Sequence, residues 1–494
     1  MTIRVIAPEP GFIKELVDVA HIFLPNASLV EGEGEPGLFI EITEKDSIGG
    51  TVAEAALSGA FAAMHALPVE PSGTPLEKKR LRKRAHKLAL YHALKAATGV
   101  QPAWGSLTGV RPTRLVYERM EAGHPLTDAV AQVRDLFDLT PGKAGLLEEV
   151  ILRQATLPAP REDEFSVYVG VPFCVSRCRY CSFVSRVTRD GALLDAYTDA
   201  LCGEVAGTAA LAQGLGLRAR AVYFGGGTPT ALGERRLRRV LEAARPLTAQ
   251  SREVTVEAGR PDTLDMPMLR MLRDEGAGRL CVNPQTMDDA TLSRIGRAHT
   301  AAQTEEAYAM ARAAGFTHVN MDLIAGLPGE DEETFRRSLS RVLDLSPESV
   351  TVHALCVKRS SDMHRLGDAL PDGAAAQNMV DAARAETAAR GYAPYYLYRQ
   401  KHMAGNQENV GYAMPGHECL YNVDMMEDAV TVLAAGAGAI SRRVWPGRNR
   451  IVRAPNVKDI AHYIARVGEM MERKEELMRM GAGEGADEAE DGAE

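Results

Sequence analysis

The residues best suited to chemistry are three cysteines within eight positions of one another. Cys174, Cys178 and Cys181 lie in VPFCVSRCRYCSF with C-x3-C-x2-C spacing. Thiolates hold zinc ions and iron–sulfur clusters, and structural sites of both kinds take four protein ligands. Three cysteines on one short loop leave one metal position open, as a catalytic metal site does. On spacing alone, chance clustering and a structural zinc site with a distant fourth ligand stay open as alternatives.

Glycines and an acidic residue follow the next two strand-like segments. GGGTPT, at 225–230, comes directly after AVYF, and Glu257 ends the following segment in VEAGRP. Glycines let a backbone approach a ligand closely and present its N–H donors. Taken singly, a glycine turn marks a tight connection and a strand-end glutamate is a surface residue. Together with the cysteines, both indicate a ligand site at the strand ends.

The elements that must position these residues alternate between strand and helix from residue 165 onward. The strand-like segments are 165–171, 221–225, 252–257, 279–283, 318–323 and 349–355. Short connections between alternating strands and helices imply parallel pairing with right-handed crossovers. Six units are fewer than the eight of a closed barrel, so we expect an α/β fold with a partial (βα)6 TIM-like barrel. Ligands of such folds bind at the carboxyl ends of the strands, where these motifs lie.

Four regions are expected along the chain. They are an N-terminal α+β accessory domain at 1–160, the barrel core at 161–375, a mostly helical or irregular substrate-covering region at 376–480, and an acidic disordered tail at 481–494. A basic run, KKRLRKRAHK at 78–87, is either a phosphate-binding strip or the solvated face of a helix. Apolar residues that continue the helix favour the solvated face.

Composition excludes several classes of protein. The 494 residues carry a formal net charge of −9, which makes a nucleic-acid partner unexpected. No apolar run is long enough to span a membrane, and the first residues lack the pattern of a signal peptide. Seven cysteines, unevenly placed and odd in number, do not suit a disulfide framework. We therefore expect a cytoplasmic protein.

YVGVPFC, with the cysteine spacing that follows it, resembles the signature of radical S-adenosylmethionine (SAM) enzymes. The resemblance implies a [4Fe–4S] cluster held by Cys174, Cys178 and Cys181, whose fourth iron chelates the amino and carboxylate groups of SAM. Reductive cleavage of SAM would release a 5′-deoxyadenosyl radical that abstracts a substrate hydrogen. It also implies a reduced electron donor such as flavodoxin or ferredoxin. No catalytic side chain is assigned beyond the cluster and SAM.

Further motifs extend the resemblance to the oxygen-independent coproporphyrinogen III oxidase family. These are GGGTP, RLCVNPQT, IGRAHT and NMDLIAGLPGE, and the chain departs from the family where Gly170 replaces a histidine that many members carry. Glu257 would accept hydrogen bonds from the ribose, and the aromatic Tyr180 would lie beside the adenine. The positions implied to contact SAM are Tyr168, Tyr180, Gly226, Gly227, Thr228, Glu257, Gln285, Arg297, Asp322 and Ile440.

Two branches of that family are considered. Haem-binding chaperones of the family carry a stretch of the type P-G-H-E-C-x-H-N-x-x-Y-W. The corresponding stretch here, PGHECLYNVDMM, resembles it but has Tyr421 in place of the histidine and Met425–Met426 in place of Tyr-Trp. The N-terminal extension, GVRP at 109–112 and the segment 396–412 resemble the coproporphyrinogen dehydrogenase branch. That branch implies oxidative decarboxylation of coproporphyrinogen III to protoporphyrinogen IX, with an unknown electron acceptor. A radical SAM enzyme acting on another substrate is a third hypothesis.

The implied substrate is a tetra-anionic tetrapyrrole, so its pocket needs fixed cations and apolar contacts. The C-terminal region offers four basic residues as candidates for this role: Arg399, Lys401, Arg442 and Arg443. Structural or solvated roles for each of them stay open.

Overall fold

A computed structural model describes residues 1–30, 35–48, 50–70, 73–109, 111–183, 185–358, 360–366, 372–401, 403–446 and 450–481. The chain forms two compact units, Met1–Glu148 with Arg399–Gln407, and Glu149–Tyr398 with Glu408–Glu494. The expected division into four regions stays a prediction, and the acidic tail lies, but for Gly481, outside the described residues. None of the helices described is long and apolar enough to cross a membrane.

The first unit is an α+β structure. Its five strands pair in the order β2-β1-β3-β4-β5. They are β1 (Thr2–Ile6), β2 (Ser28–Leu29), β3 (Leu38–Ser47), β4 (Gly50–Gly59) and β5 (Ala63–Pro68). The helices are α1 (Ile13–Phe23), α2 (Pro75–Thr98), α3 (Pro112–Glu121) and α4 (Leu126–Phe137), and α5 (Pro141–Gln154) leads into the second unit. Leu16, Ile40 and Leu90 belong to the buried cluster that joins the sheet to α1 and α2.

The basic run at 78–87 lies on α2. Thr74 caps this helix through a capping box with Glu77, and Pro75 occupies its first turn. Gly99, with a φ of +69°, ends it. The sequence therefore specifies both ends of the helix that carries the charges.

The second unit contains an eleven-stranded sheet whose middle is the predicted partial barrel. Six strands pair in parallel in chain order. They are β6 (Glu164–Val171), β9 (Arg218–Gly226), β10 (Glu253–Glu257), β11 (Arg279–Cys281), β12 (Val319–Ala325) and β13 (Ser349–Ala354). The helices between them are α6 (Gly191–Gly214), α7 (Glu234–Thr248), α8 (Met266–Asp274), α9 (Asp289–Arg294), α10 (Ala301–Ala313) and α11 (Glu332–Asp344). The expected fold class is confirmed.

The region after the barrel, expected to be mostly helical or irregular, also supplies five strands. At one edge β15 (Asn409–Ala413) and β14 (Ala393–Tyr398) add to β13, and at the other β16 (Val432–Ala435), β17 (Ile440–Trp445) and β18 (Arg450–Pro455) add to β6. These strands have six residues or fewer. β14 pairs with β15 and β17 with β18 in antiparallel fashion, so these strands lack the strand–helix alternation by which the barrel strands were recognised. The remaining elements are β7 (Phe173–Cys174), β8 (Arg186–Val187), α12 (Asp362–Leu366), α13 (Gly373–Ala389), α14 (Leu420–Glu427), α15 (Ile460–Ala465) and α16 (Val467–Arg479).

Candidate functional site

The three cysteines lie on the loop that follows β6. Burial raises the pKa of the Cys174 thiol, and burial together with the charges of Cys178 and Cys174 raises the pKa of Cys181 to about 11. The three sulfurs therefore lie close enough to oppose one another's ionisation. Burial keeps these thiols protonated, whereas a bound metal cation displaces their protons. A group of three buried thiols therefore suits a metal cation as its partner. This donor chemistry fits the expected iron–sulfur cluster.

No site of the structural zinc type is found among the described residues. Within the described ranges, no three histidine, cysteine, aspartate or glutamate side chains converge on a point that a single metal ion would fill. The cysteines outside the loop include buried Cys281 and Cys419, and Cys419 donates to a carboxylate oxygen of Glu253 at 3.2 Å. A structural zinc ion requires four converging ligands.

Two arginines contact the cysteine loop. Arg260 lies after β10, is fully buried, and places its Nη1 3.8 Å from the sulfur of Cys178. Buried Arg297 also lies against Cys178 and the ring of Tyr180. Burial would lower the pKa of Arg297, but these two neighbours outweigh it and raise the value. Both guanidinium groups therefore place positive charge against the sulfur of Cys178.

The glycines after β9 lie directly against the cysteine loop. A Cβ atom at Gly227 would come within 2.5 Å of the Phe173 carbonyl oxygen and 2.9 Å of the Cys174 sulfur. Gly226 has a φ of +111°, which a residue with a side chain rarely adopts. The backbone N–H of Thr228 donates to Phe173 at 2.7 Å, and its hydroxyl lies 3.7 Å from the Cys174 sulfur. The glycine turn is thus a cradle that holds the cysteine loop.

Acidic residues and an imidazole cluster on three barrel strands, with Glu257 at the end of β10, Asp322 in the middle of β12 and His353 near the end of β13. Burial and the charge of Asp322 raise the pKa of Glu257 to about 7. Burial would also raise the pKa of Asp322, but His353 and Asn320 outweigh it, so the value lies below the ordinary one. The Asn320 amide donates to Asp322 at 2.7 Å, and the His353 Nε2 lies 3.6 Å from the other carboxylate oxygen. This pair combines an ionised carboxylate with one that retains its proton near neutral pH, and such a pair both accepts and donates hydrogen bonds.

Gln285 is held in an unusual backbone conformation. Its φ is +71°, and its N–H and C=O pair with Asp322 and Ile324 on β12, both at 2.9 Å. Its side-chain oxygen is buried and accepts no hydrogen bond from the described part of the chain. A left-handed residue other than glycine is costly and is retained where the surroundings fix it. The free acceptor at this position fits the predicted contact with a ligand.

Tyr168, on β6, belongs to a group of buried tyrosines. Its ring stacks with Tyr223 at 6.4 Å between centroids, and Tyr223 stacks with Tyr421 at 4.7 Å. Burial, together with the charge of Glu257, raises the pKa of Tyr168 above its ordinary range. These hydroxyls remain protonated donors, and their rings form an apolar wall beside Glu257.

Ile440 begins β17, and its side chain is exposed. The AGAGA segment before it is fixed by Glu204 on α6, whose carboxylate accepts the backbone N–H of Gly436 at 2.7 Å. Lys474 on α16 pairs with the same carboxylate, and both side chains are fully buried. Tyr463 donates to it at 2.5 Å. One buried ion pair therefore anchors the loop that carries Ile440 to the outside of the barrel.

The four basic residues suggested for the substrate all have protein partners. Arg399 is buried over the Trp104 ring in the first unit and donates to Leu107 at 2.6 Å, and Lys401 pairs with Asp18 at 2.9 Å. In the second unit, Arg442 pairs with Asp428 at 2.6 Å. Arg443 donates to the carbonyl of Met480 at 2.7 Å. Their role toward a substrate stays a prediction.

The structure therefore brings Cys174, Cys178, Cys181, Tyr180 and Arg297 together in one group, and Tyr168, Glu257 and Asp322 in another. Arg260 and His353 were missed by sequence reasoning. Arg260 stands in the quoted VEAGRP and His353 at the end of a predicted strand, so the strand-end position was the available signal.

Comparisons with known proteins agree with this arrangement. Residues 168–342 match the radical SAM superfamily. The oxygen-independent coproporphyrinogen-III oxidase-like protein HemZ of Bacillus subtilis (strain 168) is 34% identical over 465 residues, which cover 91% of this chain and 92% of that protein. The haem chaperone HemW of Escherichia coli (strain K12) is 26% identical over 296 residues, covering 59% of this chain and 74% of that protein.

A solved structure shows a similar fold. The coproporphyrinogen III oxidase HemN from Escherichia coli, described as a radical SAM enzyme, superposes with a TM-score of 0.51 at 24% identity. The superposition covers 67% of this chain and 73% of that one. This likeness concerns the fold.

Proposed function

Since this chain belongs to the radical SAM superfamily and, within it, to the family of oxygen-independent coproporphyrinogen-III oxidase-like proteins, we propose that it oxidatively decarboxylates coproporphyrinogen III to protoporphyrinogen IX. The observation that carries the proposal is the extent of the likeness to HemZ, which covers 91% of this chain. The likeness to the E. coli haem chaperone covers 59%. The first unit is therefore part of what this chain shares with an oxidase-like relative.

A [4Fe–4S] cluster with SAM would be held by Cys174, Cys178 and Cys181 and would supply the radical chemistry that removes a hydrogen atom from a propionate side chain, so that its carboxyl group is released as carbon dioxide and the remaining electron goes to an external acceptor. The residues of this chain prepare that chemistry. Cys174, Cys178 and Cys181 would be the three ligands of the cluster, and the guanidinium groups of Arg260 and Arg297 lie against Cys178, where they would offset the negative charge of the bound cluster.

Other side chains bind and orient SAM in this proposal. The cradle at Gly226–Gly227 fixes the cysteine loop beside the SAM site, because no Cβ intervenes and the N–H groups of Gly227 and Thr228 donate to Val171 and Phe173. The Glu257–Asp322 pair accepts ribose hydroxyls, and the free amide oxygen of Gln285 accepts one further donor. The wall of Tyr168 and Tyr223 excludes water from the neighbouring space.

A haem-binding chaperone is the second candidate, because such chaperones are among the relatives and PGHEC is retained. The structure offers an argument against it at Tyr421, where the chaperone pattern has histidine. Tyr421 is buried and stacked against Tyr223 and Tyr168, so a histidine there would face the tyrosine wall. The substitution has removed an imidazole from a packed interior position.

The test is an anaerobic assay of the reconstituted full chain with SAM, a reductant and coproporphyrinogen III. We expect protoporphyrinogen, with 5′-deoxyadenosine formed in step. Cys178→Ser should abolish both products, and Cys202→Ser, on α6 outside the loop, should leave them unchanged. 5′-Deoxyadenosine without decarboxylation would exclude this substrate, and stoichiometric haem binding without turnover would favour the chaperone.

A further inference from the structure

The first unit contains a cavity that neither the radical chemistry nor SAM binding uses. Its volume is about 380 Å³, and it is lined by residues of α2, of 106–109 with Arg111, and of α3. Six basic residues line it: Arg80, Lys83, Arg84, Lys87, Arg111 and Arg114. We call this the cationic cavity. The basic run at 78–87, which the sequence favours as a solvated helix face, thus supplies four of the side chains that line this half-open cavity.

The four basic residues from α2 lie on one face of that helix. Arg80 and Arg84 are four residues apart, as are Lys83 and Lys87. Like charges at this spacing destabilise a helix. An exposed helix would relieve the repulsion by turning these side chains into water, but here they gather around a cavity.

Acidic neighbours neutralise only part of this charge. Glu15 pairs with Lys83 at 2.7 Å, and Glu121 pairs with Arg114 at 2.9 Å. Arg84 and Lys87 have no carboxylate within 4 Å among the residues whose positions are described, and the Lys87 ammonium donates to the Thr108 hydroxyl at 2.7 Å. The cavity therefore holds positive charge in excess.

The environment of the two unneutralised cations disfavours their charge. Burial lowers the pKa of Lys87 and outweighs the opposing charges of Asp18 and Glu15, and neighbouring Lys83 acts in the same direction as burial. Burial also lowers the pKa of Arg84, with a further contribution from Arg119. An anion inside the cavity would reverse this penalty.

We propose that the cationic cavity binds a small molecule that carries two or more phosphate groups, such as a nucleoside triphosphate. Guanidinium groups match phosphate oxygens with two parallel hydrogen bonds, and the Ser106 and Thr108 hydroxyls add neutral partners. Leu107, Leu115 and Phe137 supply an apolar wall for an organic group. The volume falls in the range of small-ligand pockets, about 300–1,000 Å³, and a concave site of this size does not admit a nucleic-acid duplex. The proposal is independent of the reaction at the SAM site.

The test measures binding of ATP and of inorganic tripolyphosphate to the full chain by calorimetry at about 150 mM salt, where exposed charges are screened. Arg84→Gln/Lys87→Gln should weaken both by about tenfold or more. The matched control is Lys78→Gln/Lys79→Gln, which removes the same charge from exposed positions of the same helix outside the cavity. It should change the dissociation constant by less than about twofold.

Lysine acetylation of the unaltered chain, read by mass spectrometry, gives a second measurement that requires no variant. Tripolyphosphate should protect Lys83 and Lys87 and leave Lys78 and Lys79 reactive. Equal losses in the two double variants, or equal protection of all four lysines, would overturn the proposal in favour of a solvated charged face. Tighter binding of coproporphyrin or of a long RNA than of ATP would overturn it as well.

Discussion

Replacing Gly227 by alanine tests the cradle that holds the cysteine loop. The added methyl group would lie 2.5 Å from the Phe173 carbonyl oxygen and 2.9 Å from the Cys174 sulfur, both well inside normal contact distance. One of these atoms is backbone, so no side-chain rotation relieves the overlap. If the two segments separate, the hydrogen bond from the Thr228 N–H to Phe173, now 2.7 Å, is lost as well.

The expected cost follows from these two effects. Overpacking in a filled interior costs about 1–3 kcal/mol, and a lost buried hydrogen bond adds about 1 kcal/mol. We therefore expect Gly227→Ala to destabilise the chain by about 2–4 kcal/mol. Gly203 is the control, since nothing lies within 4 Å of a Cβ built there, on α6. Gly203→Ala should stabilise by about 0.5–1 kcal/mol, because alanine loses less backbone entropy in a helix.

Two assays separate the consequences. Urea unfolding followed by circular dichroism gives the stability of each variant, and iron content with 5′-deoxyadenosine yield reports on the cysteine loop. Gly227→Ala should lose stability, iron and product together, whereas Gly203→Ala keeps all three. A Gly227→Ala chain that unfolds within about 0.5 kcal/mol of the parent and retains its iron would refute the description of this turn as a cradle.

Three further predictions concern buried charges. Folding raises the pKa of Glu257 from 4.5 to about 7, so between these pH values the native chain binds more protons than the unfolded chain, and the contribution of Glu257 to the free energy of unfolding should fall by up to about 3 kcal/mol as pH rises from 4.5 to 7. In urea unfolding from pH 5 to 8, the free energy of unfolding of Glu257→Gln should therefore decline less than that of the parent. Parallel pH profiles for the two chains would contradict this prediction. Lys474→Met leaves the buried Glu204 carboxylate without its ammonium partner, so the free energy of unfolding measured with urea should fall by about 3–5 kcal/mol. Adding Glu204→Gln to the same chain should restore part of this loss. An unchanged urea midpoint in Lys474→Met would count against a buried ion pair. Arg399→Met should lower the free energy of unfolding by about 2–4 kcal/mol, because it loses hydrogen bonds and the stacking on Trp104. Lys401→Met removes a surface ion pair and should lower it by less than about 1 kcal/mol. A raised KM in Arg399→Met with no loss of stability would instead indicate that Arg399 contacts the substrate.

Local sequence patterns predicted the barrel strands and the features that follow them. The segment 165–171 became β6 at Glu164–Val171, and 349–355 became β13 at Ser349–Ala354. These segments are apolar runs bounded by turn residues, and parallel pairing orders them in the sheet. The cysteine loop and the glycine turn could be found because each occupies a few consecutive residues directly after such a strand.

Features built from distant segments were not accessible in the same way. His353 acquires a role only because β13 pairs with β12, which places it beside Asp322. Arg399 was considered for a substrate contact, yet the chain buries it over Trp104, nearly three hundred residues earlier. Residues of α2, of α3 and of the segment just before α3 line the cationic cavity together, and no local sequence pattern predicts that these elements lie side by side. Long-range packing decides such neighbours, and local propensity does not.

The pairing of β6 has a consequence for the order in which the chain is made. β6 carries the cysteine loop, but one of its two neighbours is β16, and the loop after β16 is anchored through Glu204 to Lys474. A ribosome delivers the cysteines long before either partner emerges, and non-local contacts of this kind form slowly. The sheet beside the cysteine loop therefore lacks one of its strands until β16 is made, and the anchor of the loop after β16 is incomplete until synthesis reaches residue 474. This topology favours insertion of iron and sulfur after the chain has left the ribosome. The cysteines must be kept reduced until then.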